Sequence, residues 1–186
     1  MLDIPSPAPV ASAAASRSSG ARIDAAFCAV NRWLLITLLA VMAALVISNV
    51  FTRYAFAHSF PWVEEATRYM MIWTTFLGAG PALRVGGHIA IDSLPSALPA
   101  AAARALRAGI VGVIGITLLA MAWLGWDYAS FAWEQESPVL GWSLGKVYLA
   151  LPVGAAVMLA HLAFVSRRWV SSGEWERVEG FDPQAL

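Results

Sequence analysis

Gly141-Trp142-Ser143-Leu144-Gly145 has the G-x-S-x-G spacing that, on a sharp strand-to-helix turn with a base nearby, exposes a serine for acyl transfer. No strand pattern precedes it here. The downstream histidine, His161, falls eighteen residues on, and on one helix that spacing separates the two by about 27 Å along the axis. The stretch therefore reads as a loop with glycines, and no catalytic residue is expected. His58, His88 and His161 are the candidates for haem or metal ligation, and such a site in a helical membrane protein needs ligands on facing helices. Only His161 falls within an apolar span, so neither a metal nor a cofactor is expected, and this imidazole should find hydrogen bonds near a membrane boundary. Cys28 is the single cysteine, which excludes an intramolecular disulfide or a CxxC redox pair. Glu64, Glu65 and Arg68 remain. Arg68 follows the carboxylates by four and three residues, so on one helix face it can pair with either.

The elements that must position these residues are membrane spans. Of 186 residues, 59% are hydrophobic and 13% charged, and the mean hydropathy of +0.65 is too high for an ordinary soluble domain. The formal net charge is zero and no zinc-finger or RNA-binding spacing occurs, so a nucleic-acid partner is not expected. The pattern predicts an all-α integral membrane protein with four transmembrane helices and a short interfacial segment between helices 2 and 3. The first uncharged run is Trp33 to Thr52, too long for a signal-peptide core and without a small-residue cleavage site. The second helix starts at Pro61, which suits a first turn, with Glu64 and Glu65 near the favourable end of the helix dipole. Its run from Tyr69 to Leu83 is uncharged, and Gly78, Gly80 and Pro81 predict a bend or loosening before Arg84. The turn Gly86-Gly87-His88 and the mixed segment Ile89 to Pro99 follow, then uncharged runs from Ala108 to Trp126 and from Val147 to Ser166. Residues 1–22 are expected to form a disordered tail, 23–168 the membrane domain and 169–186 a polar tail.

Gly109, Gly112 and Gly115 recur every third residue and make a strip on which a second helix can approach closely in lipid; Gly154, Ala155 and Ala156 make another small surface. Placing both termini in the cytoplasm puts Arg17, Arg22, Arg32, Arg84, Arg104, Arg107, Arg167, Arg168 and Arg177 inside and leaves Arg53, Arg68 and Lys146 outside, the asymmetry that sets topology. Trp62, Trp126, Trp133 and Trp142 then mark the outer boundary, and Trp33 and Trp169 the inner one. Translocation by a single chain needs ionisable residues or broken helices at mid-membrane, and these uncharged runs supply none beyond the Gly78 to Pro81 break. A stand-alone small transporter or a membrane redox protein or enzyme is thereby the weaker alternative. Two readings of Glu64, Glu65 and Arg68 stay open on these grounds, a solvated helix end and a charged contact to another subunit.

Trp62-Val63-Glu64-Glu65 with Arg68, then Trp73, Phe76-Leu77-Gly78-Ala79, Arg84, Gly87-His88-Ile89 and Asp92, and later Leu151-Pro152-Val153-Gly154, resemble the small membrane subunit of tripartite ATP-independent periplasmic (TRAP) transporters, the DctQ type. The resemblance runs from the first helix to Arg168. It implies a subunit of the bacterial inner membrane that partners a large DctM-type permease subunit and a periplasmic DctP-type binding protein, in organic acid uptake by symport down an ion gradient. Trp62, Glu64, Glu65, Arg68, Trp73, Gly78, Arg84, His88 and Asp92, with the strip Gly109, Gly112 and Gly115, are then the candidate subunit-interface residues, in contact otherwise with the lipid bilayer.

Overall fold

The computed structural model describes residues 19–85 and 98–173, and among them the chain is helical with no strand, apart from one isolated bridge between Glu136 and Ser143. The helices are α1 (Ser19–Phe56), α2 (Pro61–Arg84), α3 (Ala100–Phe131), the single turn and a half of α4 (Leu144–Tyr148), and α5 (Ala150–Ser172). Three stretches are long and apolar enough to cross a membrane: 20–56, 100–131 and 144–172. α2 has 24 residues, enough for a crossing by length at about 1.5 Å each, but its first turns carry Glu64, Glu65 and Arg68.

Each long helix outruns its uncharged core. α1 begins at Ser19 and takes in Asp24 and Arg32, so the expected first span, bounded at Trp33, omitted its first turns and the residues that prove to matter there. α2 starts with Pro61 in its first turn as anticipated and continues unbroken through Pro81 to Arg84. His88, Asp92 and most of the expected interfacial segment lie outside the described residues, as do most of both tails.

Neighbour relations run α1, α2, α5, α3, with α1 resting on α2, α2 on α5 and α5 on α3. The apolar centre is where the last three meet, around Leu83, Leu118 and Leu162. Small residues permit the close crossings, as packing in lipid requires. A methyl group on Gly154 of α5 would stand 2.5 Å from Phe76 Cβ of α2, and one on Gly125 of α3 would stand 2.9 Å from Leu151. Ala155 is fully buried beside Gly154, so these two residues of the expected small surface pack, whereas Ala156 is exposed. The strip of Gly109, Gly112 and Gly115 behaves differently, since nothing lies within 4 Å of the position a methyl would take on any of them. Among the described residues it is an open face of α3.

Between α3 and α5, residues 132–145 form a closely bonded connection. Ser137 N–H donates to Trp142 O at 2.8 Å and Leu144 N–H to Gln135 O at 2.8 Å. Gly141 turns the chain at φ +65°, a conformation that favours glycine.

Candidate functional site

Polar chemistry in this molecule gathers at two places, one at each end of α2. The Arg84 end starts from a backbone defect. Pro81 has no N–H, so the carbonyl four residues back, on Leu77, loses its helical donor in a setting where water cannot replace it. Asn31 of α1 fills the gap, its Nδ2 donating to Leu77 O at 3.1 Å. The same amide nitrogen lies 3.2 Å from His161 Nε2 of α5. On the other edge of that ring, Arg84 Nε donates to His161 Nδ1 at 2.6 Å. Arg84 also grips Asp24 of α1 with both terminal nitrogens, Nη1 donating to Oδ2 at 3.0 Å and Nη2 to Oδ1. This is the two-pronged geometry in which arginine and carboxylate bind best.

Burial makes the arrangement consequential. His161 is 0% exposed, Arg84 4% and Asn31 6%. A buried arginine is costly unless its charge and its donors are met, and Asp24 and His161 meet them. Phe27 lies against the imidazole at a centroid distance of 4.7 Å, and the Arg84 guanidinium carbon sits 5.7 Å from the Phe164 ring centre. Gly80 leaves the room: a methyl there would stand 2.3 Å from His161 Cδ2. The network joins α1, α2 and α5.

At the Phe60 end, Asn49 of α1 is 5% exposed and its Oδ1 accepts from Phe60 N–H at 2.7 Å, fixing the approach to α2. Asn31 and Asn49 are the buried residues of α1 among those described, and eighteen residues separate them. That is about five full turns, so both lie on the α2 face, about 27 Å apart. Glu65 is buried at 6% exposure and faces inward. It accepts from the Tyr69 hydroxyl at 2.5 Å and from the backbone N–H groups of Val139 and Leu140 at 3.0 Å each. The carboxylate thus pins the α3–α5 connection to α2.

The structure separates the three charges that the spacing had grouped. Glu64 pairs with Arg53 of α1 at 3.2 Å, both exposed. Glu65 turns to the loop. Arg68 pairs with neither, because the two carboxylates have partners from outside the helix, and it stands exposed without an ion pair or hydrogen bond among the described residues. Trp62 is exposed on the surface, Trp73 half-buried, and Gly78 in ordinary contact with Leu35. Of the expected interface residues that are described, Glu65 and Arg84 are the two buried inside the fold. Ser143 Oγ donates to Trp133 O at 2.7 Å at the head of α4, which accounts for that serine as a loop anchor. Asp24, Asn31, Asn49, Gly80 and His161 were not among the expected site residues. The legible signal was Pro81 itself, whose missing donor demands a partner for Leu77.

Residues 42–171 match the family described as tripartite ATP-independent periplasmic transporters, DctQ component. Over 66 residues the chain is 41% identical to a Haemophilus influenzae protein whose name is that of a TRAP transporter small permease, covering 36% of this chain and 41% of that protein. Over 115 residues it is 27% identical to the ectoine TRAP transporter small permease protein TeaB of Halomonas elongata, covering 61% of this chain and 60% of that one. The matched region spans less than two thirds of either relative.

Proposed function

The chain belongs to the DctQ component family of the tripartite ATP-independent periplasmic transporters, and from that we propose that it is the small membrane subunit of such a transporter, a transport component and not an enzyme. It is a multi-pass membrane protein. Its role in this reading is mechanical. The large DctM-type permease subunit carries the solute and the coupling ion, a DctP-type periplasmic protein delivers an organic acid, and this chain is the fixed frame against which the large subunit moves. The relatives named as small permeases support the assignment.

The observation that carries the scaffold role is where the polar groups are spent. Asp24, Arg84, His161 and Asn31 satisfy one another across three helices, and Glu65 is bonded to a loop of its own chain. Groups engaged in this way hold helices in place. We take α2 as a fourth crossing, antiparallel to α1 through the short connection 57–60, as short helix links favour. Both termini and the Arg84 end are then cytoplasmic in the bacterial inner membrane, as the basic residues favour.

Affinity purification of the tagged chain from membranes is the test. Recovery of a large multi-helix permease in fixed ratio supports the reading. A stable homo-oligomer that transports alone overturns it. For topology, a single cysteine at Ser96, in a chain whose Cys28 is replaced, should react with a membrane-impermeant maleimide only after the membrane is opened to the cytoplasmic side.

A further inference from the structure

Of Glu64, Glu65 and Arg68, Arg68 is the one left without an ion pair or hydrogen bond among the described residues. It stands seven residues into α2, about 10 Å along the axis from Pro61. Its side chain is exposed, and the two carboxylates within its reach are engaged elsewhere, Glu64 with Arg53 and Glu65 with Tyr69 and the 139–140 backbone. Its depth can be read from its neighbours. Glu64, Thr67, Arg68 and Met71 of α2 share a cleft of about 480 Å³ with Met42, Ala43 and Val46 of α1, all three inside the uncharged run of α1; Glu64, though it lines the same cleft, is already paired with Arg53. An arginine level with an apolar run, on an outward face, is costly without an opposite charge, and such residues in membranes almost always pair.

On the reading of the chain as the small subunit, we propose that this cleft between α1 and α2 receives a transmembrane helix of the large permease subunit whose carboxylate pairs with Arg68. Charge complementarity names the chemistry. The walls fit the same occupant, because the two methionines are unbranched and polarisable and shape themselves to a neighbouring helix, while Ala43 lets its backbone come near. A lipid phosphate is less suited, since it sits at the membrane boundary and not level with Met42 and Val46. This assigns to one residue the partner contact that the Glu64, Glu65 and Arg68 group was expected to share. Glu65 is withdrawn from it by burial.

The experiment uses the complex purified through a tag on this chain. A photoreactive benzoylphenylalanine is placed at Met71, inside the cleft, and separately at Leu119, on the exposed side of α3 at the far end of the helix order. After irradiation the Met71 probe should yield an adduct with the large subunit. In parallel, Arg68→Ala should lower recovered large subunit by about tenfold or more, Arg68→Lys should restore part of it, and Arg68→Glu should be the worst. The proposal is overturned if the large subunit co-purifies but is captured only from Leu119, if the Met71 probe captures phospholipid alone, or if Arg68→Glu retains wild-type recovery. Absence of any large subunit from the wild-type preparation instead overturns the small-subunit reading on which the proposal rests.

Discussion

Asn31 does for Leu77 what the proline four residues on prevents the helix from doing for itself, and that exchange can be measured. Asn31→Leu should cost about 1–2 kcal/mol, the range for an unmet buried carbonyl or a lost interhelical bond. Pro81→Ala returns an N–H to the same carbonyl. In that background Asn31→Leu should cost measurably less, read as a non-additive shift in a double-mutant cycle of unfolding in detergent. Purely additive costs would show that the contribution of Asn31 does not come through the Leu77 carbonyl. Glu65 invites a second comparison. Its carboxylate accepts three donors, whereas glutamine brings one acceptor oxygen and turns an N–H toward a donor. Glu65→Gln should therefore accelerate amide exchange across residues 137–145, while Glu64→Gln, at an exposed pair, should change stability by less than about 0.5 kcal/mol. At this scale the sequence was readable in part. Spacing shows which partners a charge can reach on its own helix, as Tyr69 is reached by Glu65, but Arg53 and the 139–140 backbone compete from elsewhere, and Glu64 and Glu65 go to them.

Among the elements, α1, α3 and α5 were legible as apolar helices long enough to cross a membrane because long uncharged runs leave few other structures open; α2 was legible as a helix from Pro61, and the helix ends were not legible, because polar turns extend beyond each run. Asp24 and Arg32 are helical residues that composition assigns to a boundary. The glycines divide by what faces them, which no single sequence reveals. Gly80 abuts a fully buried imidazole that is held on two sides, so Gly80→Ala should destabilise the chain by about 1–3 kcal/mol, the usual penalty for overpacking. Gly112→Ala should be neutral or stabilising by up to about 1 kcal/mol in the same assay, since among the described residues nothing faces the strip and alanine suits a helix interior better than glycine. Gly112→Leu extends the comparison to assembly: a fall in recovered large subunit, with thermal stability of the isolated chain unchanged, would assign the strip to the partner. Unchanged recovery would assign it to lipid. A further helix end is testable at Ala57, which closes α1 at φ +51° where glycine is favoured. Ala57→Gly should be neutral or stabilising by up to about 1 kcal/mol in the same unfolding measurement.

For the whole molecule, the helix order α1, α2, α5, α3 leaves α1 with one long-range neighbour along most of its length. Its described buried residues are two asparagines, so α1 is attached at two polar points and otherwise presents apolar surface outward. A frame of this kind is completed by what binds it. The network at the Arg84 end also has a consequence in time. Asp24 and Asn31 leave the ribosome first, Pro81 and Arg84 next, and His161 last, on α5. Until α5 inserts, the Arg84 guanidinium has Asp24 but no imidazole, and the nascent protein holds a half-filled polar pocket in lipid. If the cell senses that pocket, His161 is the residue whose arrival separates finished chains from unfinished ones. A chain stopped after Leu149 should be cleared by membrane proteases several-fold faster than one stopped after Gly173 in a pulse-chase, and equal lifetimes would mean that the cell does not sense this pocket. Quality control of the subunit would then begin with a single histidine, added last, that closes a gap opened by a proline.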